Sequence, residues 1–180
     1  SPFFSDFVLP YGKLREFRSG YKRSDIILVT KCPDNMDNLE KKVFSKKIKL
    51  KKNQKIFFST ISYNKLIFNK KESRNLNDLK NCDFILLTGI ADNKELLIYL
   101  RNFNFKLIEF IDHHDFTNAD IKKIKDSANG KIILTTEKDY VRIVDKINYD
   151  LLYYLPIEMK FLGNEGTLFN NEIEEYLKEI

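Results

Sequence analysis

The stretch Ile132-Ile133-Leu134-Thr135-Thr136-Glu137-Lys138-Asp139 decides the fold. An apolar run without polar alternation reads as a short strand covered on both faces, and a parallel sheet between layers of helix is what covers a strand that way. Thr136 with Asp139 three positions on is an N-cap signature, in which hydroxyl and carboxylate satisfy free backbone N–H groups. A strand that runs through threonines into a capped helix is one β–α unit. The same punctuation recurs where Ile26-Ile27-Leu28-Val29 leads to Thr30-Lys31 and where Phe84-Ile85-Leu86-Leu87 leads to Thr88-Gly89. Between these runs, helical spacing groups Leu96, Leu97, Leu100 and Phe103 on one face and Ile121, Ile124 and Ala128 on another. Thr117 with Asp120 repeats the cap, and Gly130 stands where a helix C-cap is expected. A last helix is expected from about Glu172, with Ile173, Tyr176, Leu177 and Ile180 as its buried stripe.

The expected class is therefore α/β, a parallel sheet flanked by helices. One stretch departs from the rhythm: residues 54–69 are aromatic and β-branched around Asn64-Lys65, which reads as a β-hairpin. Residues 70–81 are polar and charged, and the expected boundary lies there. Residues 1–72 would form an incomplete N-terminal piece with the hairpin, and residues 73–180 a compact C-terminal α/β domain.

At 180 residues, 43% hydrophobic and 32% charged, the chain has the balance of an ordinary globular domain rather than a disordered one. No apolar run approaches the roughly 18 to 20 residues that cross a bilayer, and no leader-like segment opens the sequence, so neither a transmembrane segment nor a secretion signal is expected. A net charge of +5 favours anionic partners without choosing among nucleic acid, phospholipid headgroups and nucleotides. Much of it lies in Lys46, Lys47, Lys49, Lys51, Lys52 and Lys55, a run that also suits a plain solvated surface. Cys32 and Cys82 are far apart with no CxxC spacing, which suggests neither zinc nor disulfide and points to a reducing, cytosolic compartment.

Both histidines of the chain stand side by side in Asp112-His113-His114-Asp115-Phe116-Thr117, just after an apolar run. Imidazole titrates near neutral pH, so a pair clustered with carboxylates suits a proton carrier, a phosphate partner or a metal ligand; a polar turn after a strand is the plainer alternative. In an open parallel sheet, ligands bind outside the carboxyl ends of the strands. Thr30-Lys31, residues 88–93, the Asp112-His113-His114 turn and Thr136-Glu137-Lys138-Asp139 all follow strands and are expected to line one crevice. Ahead of the first strand, Leu9-Pro10-Tyr11-Gly12-Lys13-Leu14-Arg15-Glu16 offers a tight turn at Gly12 and, in Arg15, a fork for phosphate or carboxylate.

Taken in order, these segments resemble the tetraacyldisaccharide 4'-kinase family, the lipid A 4'-kinases, over nearly the whole chain. The family's LPxGxLRE segment matches residues 9–16, its strand-end VTK matches Val29-Thr30-Lys31, and its TGIA-N, DHH-FT and TEKD elements match residues 88–93, 112–117 and 136–139. A Leu-Pro before an acidic position matches Leu155-Pro156-Ile157-Glu158, and Phe17 departs from the pattern where many members have proline. The resemblance implies a P-loop kinase-like two-domain family. It also implies transfer of the ATP γ-phosphate, with Mg²⁺, to the 4'-hydroxyl of a tetraacyldisaccharide 1-phosphate in lipid A biosynthesis. The implied partners are the lipid A disaccharide precursor and the cytoplasmic face of the bacterial inner membrane, not nucleic acid.

A GxxxxGK[ST] phosphate loop is absent: Gly12-Lys13-Leu14 and Gly130-Lys131-Ile132 lack both the earlier glycine and the Ser/Thr. In the family that loop, a membrane-associated helix and an acidic catalytic segment lie upstream of LPxGxLRE. The chain thus looks like the C-terminal half of such a kinase, inactive alone, with ATP and Mg²⁺ bound mainly elsewhere. The resemblance implies a catalytic role for His113, oriented by Asp112, and acceptor contacts for Arg15 and Glu16. Thr30, Lys31, Thr88, His114, Glu137 and Lys138 are expected to support the site, and no metal site is expected. Two alternatives remain: a non-catalytic module that binds a glycolipid or a partner, and a metal phosphoesterase of the Asp-His-His type, which would need further His and Asp ligands.

Overall fold

The computed structural model describes residues 6–9, 11, 12 and 14–178. In chain order its elements begin with β1 (Ile26–Val29), α1 (Asn38–Ile48), β2 (Lys55–Tyr63), β3 (Leu66–Phe68), β4 (Ser73–Asn75), β5 (Phe84–Thr88) and α2 (Lys94–Tyr99). They continue with β6 (Phe105–Glu109), α3 (Asn118–Ala128), β7 (Ile133–Thr136), α4 (Glu137–Ile147), β8 (Leu152–Leu155), β9 (Ile157–Phe161) and α5 (Glu165–Lys178). The chain forms two compact units: Ser1–Ser62 joined by Met159–Ile180, and Tyr63–Glu158.

The first unit carries a three-stranded sheet in the order β1-β2-β9, with β1 and β2 parallel. All four residues of β1 are only half-buried, so the expected cover on both faces is incomplete here. Helix α1 starts with a full capping box: Asp37 accepts from the Glu40 N–H at 2.7 Å, and Glu40 accepts from the Asp37 N–H at 2.9 Å. The small core gathers Cys32, Phe58 and Leu162, and burial pushes the Cys32 thiol pKa up. Glu165, at the start of α5, accepts from the Phe58 N–H and from Lys41 Nζ at 2.5 Å.

Helix α5 corrects an expectation. It begins at Glu165 rather than near Glu172, and the expected stripe is not buried: Tyr176 and Leu177 are 54% and 65% exposed. Ile180 lies outside the described residues. The packing of this helix runs instead through its first half, where Phe169 meets buried Phe57 edge-on with centroids 5.3 Å apart and lies against Phe161.

The second unit holds a six-stranded sheet in the order β4-β3-β8-β7-β5-β6. Strands β8, β7, β5 and β6 run parallel, and β3 joins β8 antiparallel. The apolar runs are buried on both faces. Ile85, Leu87 and Ile133 pack with Ile121, Ile124 and Ile143 of α3 and α4, while Phe84, Leu86 and Leu134 pack with Leu96, Leu76 and Leu79 on the opposite side. Such two-sided burial is why these strands lack polar alternation. Thr117 and Thr136 cap α3 and α4 as their spacing indicates, each accepting from the N–H three residues on. At the end of α3 the left-handed C-cap is Asn129, and Gly130 follows at φ +81°.

The hairpin is displaced from its expected place. Strands β2 and β3 flank Asn64-Lys65, yet β2 pairs with β1 whereas β3 pairs with β4 and β8. The hairpin is β3–β4, turning through residues 69–72, where Asn69 Oδ1 accepts from the N–H groups of Lys71 and Glu72 at 2.8 Å. For the same reason the unit boundary falls at residue 62 rather than at 72, and α5 belongs with the first unit. Polar composition in residues 70–81 marks an exposed hairpin face, while Leu76 and Leu79 anchor the following 3₁₀ helix in the core.

Candidate functional site

Along the second sheet the chain goes from β5 outward to β6, crosses back past β5 to β7, and continues to β8. The connections after β5 and β7 leave in opposite directions, so the carboxyl ends of these two adjacent parallel strands form the topological switch point at which open α/β sheets bind ligands. Three of the sequence elements meet at this end: residues 88–93 after β5, residues 110–117 after β6, and the β7–α4 junction. Thr30 and Lys31 belong to the first unit and are exposed there, with Lys31 at φ +58°.

Asp139 lies beneath these strand ends with its side chain 0% exposed. Its Oδ2 accepts from the Gly89 N–H and from the Thr136 hydroxyl, both at 2.8 Å. The N-cap pair of α4 thereby also ties the β5 loop to the helix start. Gly89 suits this approach, because a Cβ there would stand 3.0 Å from Asp139 Oδ1 and push the carboxylate aside by a few tenths of an ångström. Thr88 is buried, and its hydroxyl accepts from Asn93 Nδ2 at 3.3 Å while the same amide donates to Glu109 at 2.9 Å. Thr88 thus shapes the loop from below instead of facing solvent.

The two histidines have opposite environments. His114 stacks on Phe110 with centroids 4.5 Å apart, meets Phe116 edge-on, and places Nε2 2.9 Å from Asp120 Oδ2. These contacts leave the ring only 24% exposed. His113 adopts φ +60° and its side chain is 78% exposed. Its nearest charged neighbour is Asp112, with Nε2 to Oδ2 at 3.6 Å, but Asp112 is held more closely by Lys138 Nζ at 2.8 Å. The bond from Lys138 is the main reason the Asp112 carboxyl lies below its usual range, so Asp112 is a charged acceptor and not an acid. Lys146 does the same to Asp115. Asp120 is pulled down to about 2, first by the Thr117 hydroxyl and backbone N–H and then by His114. Glu137 is exposed at the first turn of α4, beside Lys138.

Arg15 and Glu16 lie in the first unit, exposed along a cleft of about 650 Å³ that Lys22, Arg23 and Lys51 also line. Glu16 pairs with Arg23 at 2.6 Å, so among the motif's described residues Arg15 is the cation in that cleft. Gly12 is needed here, since a Cβ would clash with the Phe7 carbonyl oxygen at 2.2 Å. Pro10 and Lys13 of this segment lie outside the described residues.

Sequence reasoning did not single out Glu109 or Arg142; it read Asp120 as a cap alone, and it placed Asn93 and Asp139 at the strand ends without their partners. The (i, i+3) spacing of Asp139 and Arg142 was a usable signal for an ion pair. That the pair faces the Asp112-His113-His114 turn depends on β5, β6 and β7 being neighbours, which no local spacing states. Among the described residues no three His, Cys, Asp or Glu side chains converge as a metal site requires. No helix among them is long and apolar enough to cross a membrane.

Comparison with known proteins gives a consistent result. The family profile described as tetraacyldisaccharide-1-P 4'-kinase matches residues 1–178. The tetraacyldisaccharide 4'-kinase of Flavobacterium johnsoniae is 43% identical over 174 residues, covering 97% of this chain and 51% of its own length. The kinases of Flavobacterium psychrophilum and Phocaeicola vulgatus are 39% and 36% identical, with 98% and 97% of this chain covered and 52% of each relative. The chain therefore spans about half the length of the curated relatives it matches. In three dimensions it is similar to the LpxK of Aquifex aeolicus, whose crystal structure is of a complex with ATP. That similarity has a TM-score of 0.58 at 23% identity, covers 90% of this chain and 46% of the other, and speaks to the fold.

Proposed function

The chain belongs to the tetraacyldisaccharide-1-P 4'-kinase family, and from that membership we propose that it supplies the C-terminal part of a kinase moving the ATP γ-phosphate to the 4'-hydroxyl of a lipid A disaccharide precursor. One observation above all supports a working role for the residue 112–117 element. His113 is presented bare to solvent at the strand ends while His114 beside it is consumed in packing. A turn built only for packing has no need to hold a histidine at positive φ with its ring in solvent.

In this reading His113 orients or accepts a proton next to the transferred phosphoryl group, and Asp112, kept charged by Lys138, limits where the ring can turn. Arg15 and Glu16 contact the acceptor disaccharide. Thr30, Lys31, Thr88, His114, Glu137 and Lys138 support the two surfaces. The sequence carries no phosphate loop, whose Ser/Thr hydroxyl and phosphate-holding backbone would bring Mg²⁺ with ATP. ATP and Mg²⁺ are assigned to the part of the kinase beyond this chain's span. The site of action is the inner-membrane face, with membrane contact also made outside this chain.

The test joins the chain to the N-terminal half of the Flavobacterium johnsoniae kinase and follows phosphate transfer from ATP to a tetraacyldisaccharide 1-phosphate. The fusion is expected to be active and the chain alone inactive. His113→Ala in the folded fusion should lose about 10²- to 10⁴-fold in turnover, the usual worth of a general acid–base group. Near-normal turnover of that variant would reduce the element to a structural turn.

A further inference from the structure

We propose that Arg142 is the positioning residue that sets the backbone of the 112–115 turn and thereby aims His113, and that the buried carboxylate of Asp139 holds Arg142 for this task. Arg142 stands three residues after Asp139 on α4, so both side chains leave the same side of the helix. Its Nη2 donates to the carbonyl oxygen of His114. Its Nη1 faces Asp139 Oδ1 at 3.7 Å, and its guanidinium lies over the Phe116 ring at 5.7 Å. One planar fork thus touches the helix, the turn and the aromatic stack beneath the turn.

Two further facts point the same way. Asp139 Oδ1 and Arg142 Nη1 are buried without a hydrogen-bond partner. Buried polar atoms of opposite charge are tolerated when each offsets the other's desolvation, so these two atoms stabilise the structure as a pair and not singly. The second fact is the strain in the turn. A non-glycine residue in the left-handed region is strained by its Cβ against the backbone, and His113 sits there at φ +60°. The hydrogen bond from the His114 N–H to the Ile111 carbonyl at 3.1 Å closes the turn, and Arg142 fixes the peptide on its other side. Gly89 completes the arrangement, because its missing side chain leaves Oδ1 room to face the arginine.

Arg142 serves the reaction only if His113 does, as proposed above, whereas its hold on the turn can be measured in the 180-residue chain. Asp139→Asn is the sharpest variant: one amide oxygen still accepts from Gly89 and Thr136, while an NH₂ group now faces Arg142. Arg142→Met keeps the apolar stem and removes the fork. In both, amide hydrogen exchange of His114 should quicken by about tenfold or more while that of Leu86 and Leu134 in β5 and β7 stays within about twofold. In the fused kinase Arg142→Met should lower kcat with KM for ATP unchanged, and Arg142→Lys, a single-point donor, should restore only part of it. Unchanged exchange at His114, exchange rising equally in β5 and β7, or an effect confined to KM would each overturn the proposal. A wild-type fusion that transfers no phosphate would instead count against the kinase reading and leave the exchange result standing.

Discussion

Asp120 does three jobs with one carboxylate. It caps the first turn of α3, accepts the Thr117 hydroxyl at 2.7 Å, and meets His114 Nε2 at 2.9 Å. Because these partners favour its charged form, its pKa falls from 3.8 to about 2 in the folded chain. A carboxylate depressed on folding adds stability that is fully present above its unfolded pKa and is lost as pH falls through the folded value. The Asp120 contribution should therefore persist at pH 5 and fade between about pH 4 and pH 2. Comparing thermal unfolding of the native chain with Asp120→Asn across that window checks it: the gap in Tm should shrink steadily toward pH 2. A gap independent of pH would show that the three bonds contribute nothing through ionisation. At this scale the sequence was informative in part. Thr117 with Asp120 announced the cap, but nothing in the spacing announced His114 as the third partner, because the contact depends on how the turn folds over Phe110 and Phe116.

Among the elements, the apolar strands were the most legible and the β3–β4 hairpin the least. Phe84-Ile85-Leu86-Leu87 and Ile133-Leu134 lie between two helix layers, so burial forces an apolar residue at every position and the run is visible in the sequence. The segment from Ile56 to Phe68 is also rich in apolar and aromatic residues, yet it serves two sheets, and residue type does not record a change of sheet at Asn64. Strand β3 is three residues long and owes its place to Ile67, which is 0% exposed and packs with Leu76, Leu79 and Tyr153. The Tyr153 hydroxyl donates to Glu72, which Arg74 also binds at 2.8 Å, so the hairpin is pinned at its turn as well. Ile67→Ala should cost about 2 to 5 kcal/mol in unfolding free energy, as buried large-to-small changes do. Arg74→Ala, at an exposed pair, should cost less than about 1 kcal/mol. Equal effects in chemical denaturation would mean that β3 is held by its turn and not by its core residue.

For the whole molecule, the contrast lies in how each unit is threaded. The unit Tyr63–Glu158 is one continuous segment with helices on both faces of its sheet and its own two-sided core. The other unit needs two distant segments, and its third strand and last helix come from the C-terminal one. Composition suggested a boundary in residues 70–81 because charged residues gather there, but charge on a hairpin's outer face is compatible with a buried inner face, as Ile67, Leu76 and Leu79 demonstrate. The two boundaries make different predictions about what folds alone. A fragment of residues 63–158 keeps every strand of the six-stranded sheet and both core clusters, so it should unfold cooperatively and show dispersed amide resonances. A fragment of residues 73–180 loses β3, exposing the edge of β8 and the apolar surface of Leu76 and Leu79 that Ile67 covers, while carrying α5, which belongs to the other unit. It should be less stable and prone to associate. Circular dichroism melts and size-exclusion profiles of the two fragments, measured side by side, decide the matter: a 73–180 fragment that melts at or above the 63–158 fragment would put the boundary back among residues 70–81 and remove β3 from the folding unit that carries His113.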